Sequence, residues 1–226
     1  MGVIQLEVLK LIKFKIDDVN LQIDKNFNER DNFTVKSIPR DYDVLWNRDY
    51  PVDVINNEYK DGDIILIDKH LLELYPIDSS KIIYSVEATE DNKNIHSVLN
   101  FIEFLSSKNF NKGNKLIVVG GGIVQDIGAF VGAVYKRGID WVLFPSTVLS
   151  MCDSCIGGKT GINHEDAKNQ LALFSSPSKV IICPQFIDTL SEYDIKSGLG
   201  EILKLFVTGG KYFTEKYSQY VKDGQV

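Results

Sequence analysis

The chain has 226 residues, of which 44% are hydrophobic and 25% charged, and a formal charge of −6. That is enough for one full domain, or one domain and part of a second, of ordinary soluble composition. The acidic balance argues against nucleic acid as a partner, since that needs basic surface, and no apolar run reaches the ~18 residues of a membrane span, so no membrane partner is expected either.

The opening "MGVIQLEVLKLIKFKIDD" mixes Lys and Glu into its apolar residues and has no small-residue cleavage site, so it does not read as a signal peptide. Leu6 stands where a myristoylation motif needs Ser or Thr. Three cysteines make an odd count with no disulfide framework, so the cytoplasm is the expected compartment. Within residues 1–60, "TVKSIPRDYDVLW" suggests a strand or two and "NRDYPVDVINNEYKDGD" loops and a short helix. From Asp61 the pattern sharpens. "DIILID" and "KIIYSV" are short apolar runs, hence buried strands. "NKNIHSVLNFIEFLSS" places Ile95, Val98, Leu99, Ile102 and Leu105 at helical spacing. "KLIVVGGG" is a strand running into glycines, and "IVQDIGAFVGAVYKRG" a helix with Ile123, Ile127, Phe130, Val131 and Val134 inward and Gly138 as its stop. "WVLFP" and "KVIICP" are two more strands. The alternation predicts an α/β fold, a Rossmann-like, doubly wound parallel sheet. After Pro184 the character turns helical: "SEYDIKSGLGEILKLFV" opens on Ser191 with Asp194 three residues on, an acidic variant of the capping box, and "KYFTEKYSQYVKD" follows Gly209–Gly210. The expected organisation is an α/β domain over 1–184 and the beginning of an all-α domain over 185–226.

Several motifs invite chemistry. "DSCIGGKTGIN" ends like a P-loop, but the required first Gly is Asp153, which would repel phosphate. "CDSC" lacks the context of a redox pair, and with only Cys183 besides, it lacks the ligands of a zinc site; two small residues in a tight loop is the plainer reading. "GGG" at 120–122 follows a strand and opens a helix, where α/β sheets bind nucleotide phosphates; a plain tight turn is the competing reading. Asp126 follows near the first turn of that helix, where dipole stabilisation alone could explain it. Glu201 and Lys204, at i and i+3, share a helix face and read simply as an ion pair. The histidines, His70, His96 and His164, are dispersed, so a three-ligand catalytic metal site is not visible.

From Leu116 to about Thr208 the sequence resembles the 3-dehydroquinate synthase family of sugar phosphate cyclases. The ordered segments are "VVGGGIVQDIGAFVGAVYKRGIDWVLFPSTVLSMCDSCIGGKTGIN", "KNQLALFSSPSKVII", "TL" and "SGLGEILK", the last with Gly200 at the family's Ala. Upstream, "VEATEDNKNI" and "LIDKHL" resemble its Glu-x-x-Lys segment and first nucleotide-contact turn. In this light "DSCIGGKT" is similar to the family's active-site loop, with Cys155 at a usual Ser position.

The resemblance implies bound NAD and a divalent metal, usually zinc, acting on a phosphorylated seven-carbon sugar acid: oxidation of a ring hydroxyl, phosphate elimination, reduction and aldol closure. By position it implies NAD contacts from Asp68, Glu90, Lys93, Gly121, Gly122, Asp126, Ser146, Thr147, Lys168 and Thr189. It implies a substrate site lined by Asp153, Lys159, Asn169 and Lys204, and Glu201 as first metal ligand. Arg137, reaching a neighbouring subunit's phosphate, implies a homodimer. The family's two histidine ligands and substrate-gripping Lys and Arg have no counterpart here, which implies a fragment, a split-gene half partnered by a separate C-terminal half, or a remnant, inactive by itself. "KNQLALFSSP", Ser146 and His70 depart from the commoner pattern and leave the sugar open, sedoheptulose 7-phosphate and similar sugars included. The other readings are a metal-dependent polyol dehydrogenase of the same superfamily, whose relatives lack the D-S-x-x-GGKT loop, and a non-catalytic NAD-binding subunit.

Overall fold

A computed structural model describes residues 11–16, 19–24 and 32–222. The chain divides into two units, Met1–Asn32 and Phe33–Val226. In the first, β1 (Leu11–Ile16) and β2 (Val19–Asp24) pair antiparallel, from Leu11 opposite Asp24 to Ile16 opposite Val19.

The second unit is built on a seven-stranded sheet. Its strands in chain order are β3 (Phe33–Val35), β4 (Tyr42–Trp46), β5 (Ile64–Asp68), β6 (Ile82–Val86), β7 (Lys115–Gly120), β8 (Asp140–Pro145) and, after a hairpin described below, β11 (Lys179–Ile182). Their spatial order is β3-β4-β11-β8-β7-β5-β6, and every pairing is parallel except β3 with β4 at the edge. The helices are α1 (Pro51–Glu58), α2 (Lys69–Leu74), α3 (Ile95–Ser107), α4 (Gly122–Val134), α5 (Glu192–Thr208) and α6 (Lys211–Lys222).

Alternation along the strands explains the two-sided cover. Ile64, Leu66, Leu116 and Val118 enter one core with Val98, Phe101 and Leu105 of α3 and Val124, Ile127 and Val131 of α4. Ile65, Ile67, Ile117 and Val119 enter the other with Val54 and Ile55 of α1 and Leu71 of α2. Each such side chain contributes about 1.5–3 kcal/mol on leaving water, so continuous apolar runs such as "IILI" are what a doubly covered strand needs. The expected α/β fold with a mainly parallel sheet is what forms.

Some helix faces differ from expectation. On α3, Leu99 is 47% exposed and Phe101 fully buried, because the helix starts at Ile95 behind an Asn94 cap and its buried stripe runs through 98, 101 and 105. On α4, Val134 is 42% exposed while Val124, Gly128 and Ala129 are buried. The small residues let α4 press on the sheet: a Cβ on Gly128 would meet Val118 at 2.6 Å, and one on Gly132 would meet Trp141 at 2.8 Å. The helix stops at Val134, four residues before Gly138, and Lys136 and Arg137 take left-handed backbone (φ 49° and 64°). The acidic capping variant of α5 forms: the Asp194 amide donates to Ser191 Oγ at 3.1 Å, and Ser191 Oγ donates to the Asp194 carboxylate at 2.6 Å.

The sheet's order reverses between β5 and β7. The connection from β5 through α2 leads outward to β6, and that from β7 through α4 leads the other way to β8. Such a switch point opens a crevice at the strands' carboxyl ends, where doubly wound sheets bind ligands.

Candidate functional site

The crevice is a cleft of about 450 Å³. Asp68, the last residue of β5, caps α2 by accepting from the His70 amide at 3.1 Å, and lies at the cleft wall. Opposite, β7 ends at Gly120 and α4 begins after Gly121. A Cβ on Gly120 would meet Val124 at 2.6 Å and one on Gly121 would meet Thr147 at 3.0 Å, whereas one on Gly122 would meet nothing within 4 Å. Packing therefore requires the first glycine and crowds the second. The third leaves free approach to the amino end of a thirteen-residue helix, whose amides and dipole favour an anion. Ser146, Thr147 and Thr189 complete the wall. The Thr189 hydroxyl donates to the Phe186 carbonyl at 3.1 Å, and the Ser146 amide donates to the Gly120 carbonyl at 3.1 Å. Burial pushes the Asp68 carboxyl above its ordinary value, partly offset by the His70 amide.

A second group gathers one turn along α4. Lys93, 7% exposed, donates to Asp126 Oδ2 at 3.0 Å and to Asn169 Oδ1 at 2.7 Å, with Glu90 at 3.9 Å. Burial raises the Asp126 carboxyl despite that cation. Glu90 accepts from Asn163 Nδ2 at 2.8 Å and pairs with Lys168 at 3.5 Å; the Asn163 bond first, then the two lysines, hold it below its ordinary value. These partners ride on an antiparallel hairpin, β9 (Lys159–His164) and β10 (Ala167–Phe174), which the sequence reading does not anticipate. Asn169 adopts left-handed backbone (φ 55°), and its Cβ fills the space a side chain on Gly161 would need, at 2.8 Å. Lys159, Asn169 and Asp126 line a pocket of about 510 Å³ under the hairpin.

The third group sits where a π-helical turn (Ser150–Ser154) meets α5. The Asp153 carboxyl lies against that of Glu201, which is ion-paired to Lys204. Burial first, then the Glu201 bond and charge, raise Asp153; Lys204 lowers Glu201. The two carboxyls are thus pushed apart in acidity, Asp153 being the weaker acid of the pair. Cys152 beside them is pushed up to about 11, and the buried Cys155 to about 12, by burial first, so neither is a ready thiolate and "CDSC" is no redox pair. Among the described residues no cluster of three or more His, Cys, Asp and Glu could hold a metal ion. Glu201, already engaged by Lys204, does not fit that task alone.

The predicted residues thus divide. Asp68, Gly121, Gly122, Ser146, Thr147 and Thr189 share the cleft; Glu90, Lys93, Asp126, Lys168, Asn169 and Lys159 meet around the hairpin; Asp153, Glu201 and Lys204 form the carboxyl pair and its cation. Arg137 is apart, in a separate cleft of about 500 Å³ with Arg40 and Lys112.

Residues 83–197, over half the chain, match the family model for the 3-dehydroquinate synthase N-terminal region. The chain belongs to the 3-dehydroquinate synthase family. It is 39% identical over 158 residues to the 3-dehydroquinate synthase of Pelagibacter ubique, covering 66% of this chain and 43% of the relative. To that of Saccharolobus solfataricus it is 40% identical over 119 residues, covering 53% and 34%. To a bifunctional 3-dehydroquinate synthase/phosphatase of Fusobacterium nucleatum it is 38% identical over 133 residues, covering 58% and 20%. The chain thus spans less than half the length of these relatives. Among solved structures it is similar to the 2-epi-5-epi-valiolone synthase ValA of Streptomyces hygroscopicus, solved with NAD+ and Zn2+ bound, with TM-score 0.65 and 25% identity over 72% of this chain and 48% of that one. A 2-deoxy-scyllo-inosose synthase shares the fold, with TM-score 0.65 and 19% identity over 78% and 53%.

Family motifs do not account for every side chain at the site. Tyr42, Gln125 and Asn163 carry hydrogen bonds to the site's loops, yet nothing in their local sequence marks them. Asn163 lies inside the quoted "GGKTGIN", and only the hairpin's return brings the Asn169 amide to it, at 2.9 Å.

Proposed function

We propose that the chain is the nucleotide-binding portion of a 3-dehydroquinate-synthase-type sugar phosphate cyclase, a phosphate-eliminating carbon–oxygen lyase. The observation that carries this is that two helices link the three groups: α4 brings Gly122 to the switch-point cleft and Asp126 to Lys93, and α5 brings Asp194 to the same cleft and Glu201 and Lys204 to Asp153. The residues present fit NAD. Gly122 leaves the helix end open to a pyrophosphate, and Asp68 offers a carboxylate for a ribose, with Ser146, Thr147 and Thr189 beside it. When bound, NAD would supply reversible oxidation of a substrate hydroxyl.

The chain's own residues would do the rest. Lys159 would hold the substrate's phosphate or carboxylate, with Asn169 beside it. Asp153, its carboxyl raised by burial and by Glu201 beside it, would exchange a proton with a substrate hydroxyl, and Lys204 would balance the pair's charge. Among the described residues the donor set does not suffice for zinc. Glu201 would serve only together with ligands from elsewhere, as a separate C-terminal half would bring. Residues 185–226 would begin the helical domain such a half completes. Arg137, outside the described site, supports a homodimer in which it serves a neighbour, and three unpaired cysteines support a reducing, cytoplasmic setting. The chain alone is expected to release no phosphate.

The test is ligand-observed NMR with NAD and with a phosphorylated seven-carbon sugar acid. Both should bind the unmodified chain, and Lys159→Ala should lose the sugar while keeping NAD. Undiminished sugar binding in that variant would remove Lys159 from the site.

A further inference from the structure

Between Asp153 and Lys159 the chain makes a sharp loop through Gly157 and Gly158, both at positive φ (102° and 64°). Glycine there is conformationally free, so something outside must fix the path. Two side chains from other elements do so. At the Asp153 end, Gln125 of α4, 4% exposed, makes a reciprocal pair with Ser154: its Nε2 donates to the Ser154 carbonyl at 2.6 Å, and Ser154 Oγ donates to its Oε1 at 2.8 Å. At the Lys159 end, Tyr42 of β4, 2% exposed, donates its hydroxyl hydrogen to the Cys155 carbonyl at 2.9 Å and accepts the Gly157 amide at 2.9 Å. Lys159 itself is exposed, and Ser175 N donates to the Gly158 carbonyl at 2.7 Å just before it.

We infer that Gln125 and Tyr42 are positioning residues, a two-point staple that sets the Asp153–Lys159 loop in its anion-receiving shape before any ligand arrives. The alternative is that they fill core space and their polar atoms merely satisfy one another. The geometry distinguishes these. A space-filling role needs neither the amide of Gln125 nor the hydroxyl of Tyr42, yet all four bonds go to the loop and none to the cores these residues pack against. Fixing the loop in advance removes an ordering cost from binding, so the effect should be read in affinity rather than in fold.

The inference rests on Lys159 as the anion contact. The test uses near-isosteric variants of the full chain, Tyr42→Phe and Gln125→Met, with inorganic phosphate as probe. Titrations followed by amide NMR give affinities for phosphate and, separately, for NAD; hydrogen exchange reports the Gly157 amide. Each variant should weaken phosphate about tenfold and leave NAD within about twofold, as expected when preorganisation alone is lost. Ser154→Ala, which loses one of the two Gln125 bonds, should fall between Gln125→Met and the unmodified chain. In Tyr42→Phe the Gly157 amide should exchange faster while β7 amides do not. If the unmodified chain binds phosphate and both variants bind it equally well, the staple is refuted. Equal loss of NAD and phosphate would reduce these residues to general stability and refute it too. No phosphate binding by the unmodified chain would overturn the Lys159 reading, and the inference with it.

Discussion

Lys93 is the residue on which the hairpin group turns, since its ammonium reaches Asp126, Asn169 and Glu90 together. Burial keeps the Asp126 carboxyl raised even with that cation present. The native state therefore holds the Asp126 proton more tightly than the unfolded chain, and stability falls as pH rises from the ordinary carboxylate value through the raised one. Lys93→Met removes the cation and leaves the carboxylate only its weaker neighbours, such as the Gly161 amide at 3.3 Å. It should destabilise the chain by about 3 kcal/mol at neutral pH and steepen that fall, as read by urea denaturation across a pH series. An unchanged pH slope would show that Lys93 does not face Asp126 in solution. The thiols make a second residue-scale prediction. Cys152 is pushed up to about 11, and Cys155 and Cys183 up to about 12, burial being the main cause in each. Native alkylation near neutral pH followed by mass spectrometry should find all three slow to react, and rapid labelling of Cys152 would contradict the described loop.

At the scale of elements, α4 shows how a local rule gives way to packing. Alanine normally improves a helix interior over glycine by about 1 kcal/mol. Gly128→Ala should instead cost about 1–3 kcal/mol, because its Cβ would meet Val118 at 2.6 Å. Gly200→Ala in α5, where a Cβ would meet nothing within 4 Å, should follow the ordinary rule and stabilise. Thermal melts of the pair check both signs. At the sheet's opposite end, Glu58 of α1 accepts from Lys115 at 2.5 Å and Lys179 at 2.8 Å, tying α1 to β7 and β11. Burial would raise this carboxyl, but the two lysines outweigh it and hold it lowered. Its contribution is therefore present above the ordinary carboxylate value and lost as pH falls through the lowered one. Glu58→Gln should cost about 2 kcal/mol at neutral pH and progressively less in acid, the reverse of the Asp126 trend.

Legibility in the sequence followed these same distinctions. Runs such as "IILI" and "LIVV" announced strands because both faces are covered, and "GGG" announced the cleft because a strand led into it. The stripe on α3 was misphased by Leu99, since the Asn94 cap that sets the helix's rotation gives only a local signal. The hairpin of Lys159 and Asn169 was invisible as structure: β10 is largely exposed, and its short apolar run "LALF" follows the polar "KNQ" with no alternation or cover to mark a strand. Its residues came from family resemblance instead. Tyr42 and Gln125 act across 115 and 29 positions of chain, a pairing no local pattern encodes.

At the scale of the whole molecule, the proposed nucleotide site depends on a sheet whose order reverses between β5 and β7 and a helix end left open at Gly122. The most direct measurement is a calorimetric titration of NAD into the purified chain and into Gly122→Asp. The aspartate meets no neighbour at its Cβ, so the fold should hold, while its carboxylate faces the position proposed for the pyrophosphate. Saturable binding at up to millimolar NAD by the unmodified chain, lost in Gly122→Asp, is the expected result. No binding by the unmodified chain, or equal binding by both, would contradict the assignment of the cleft.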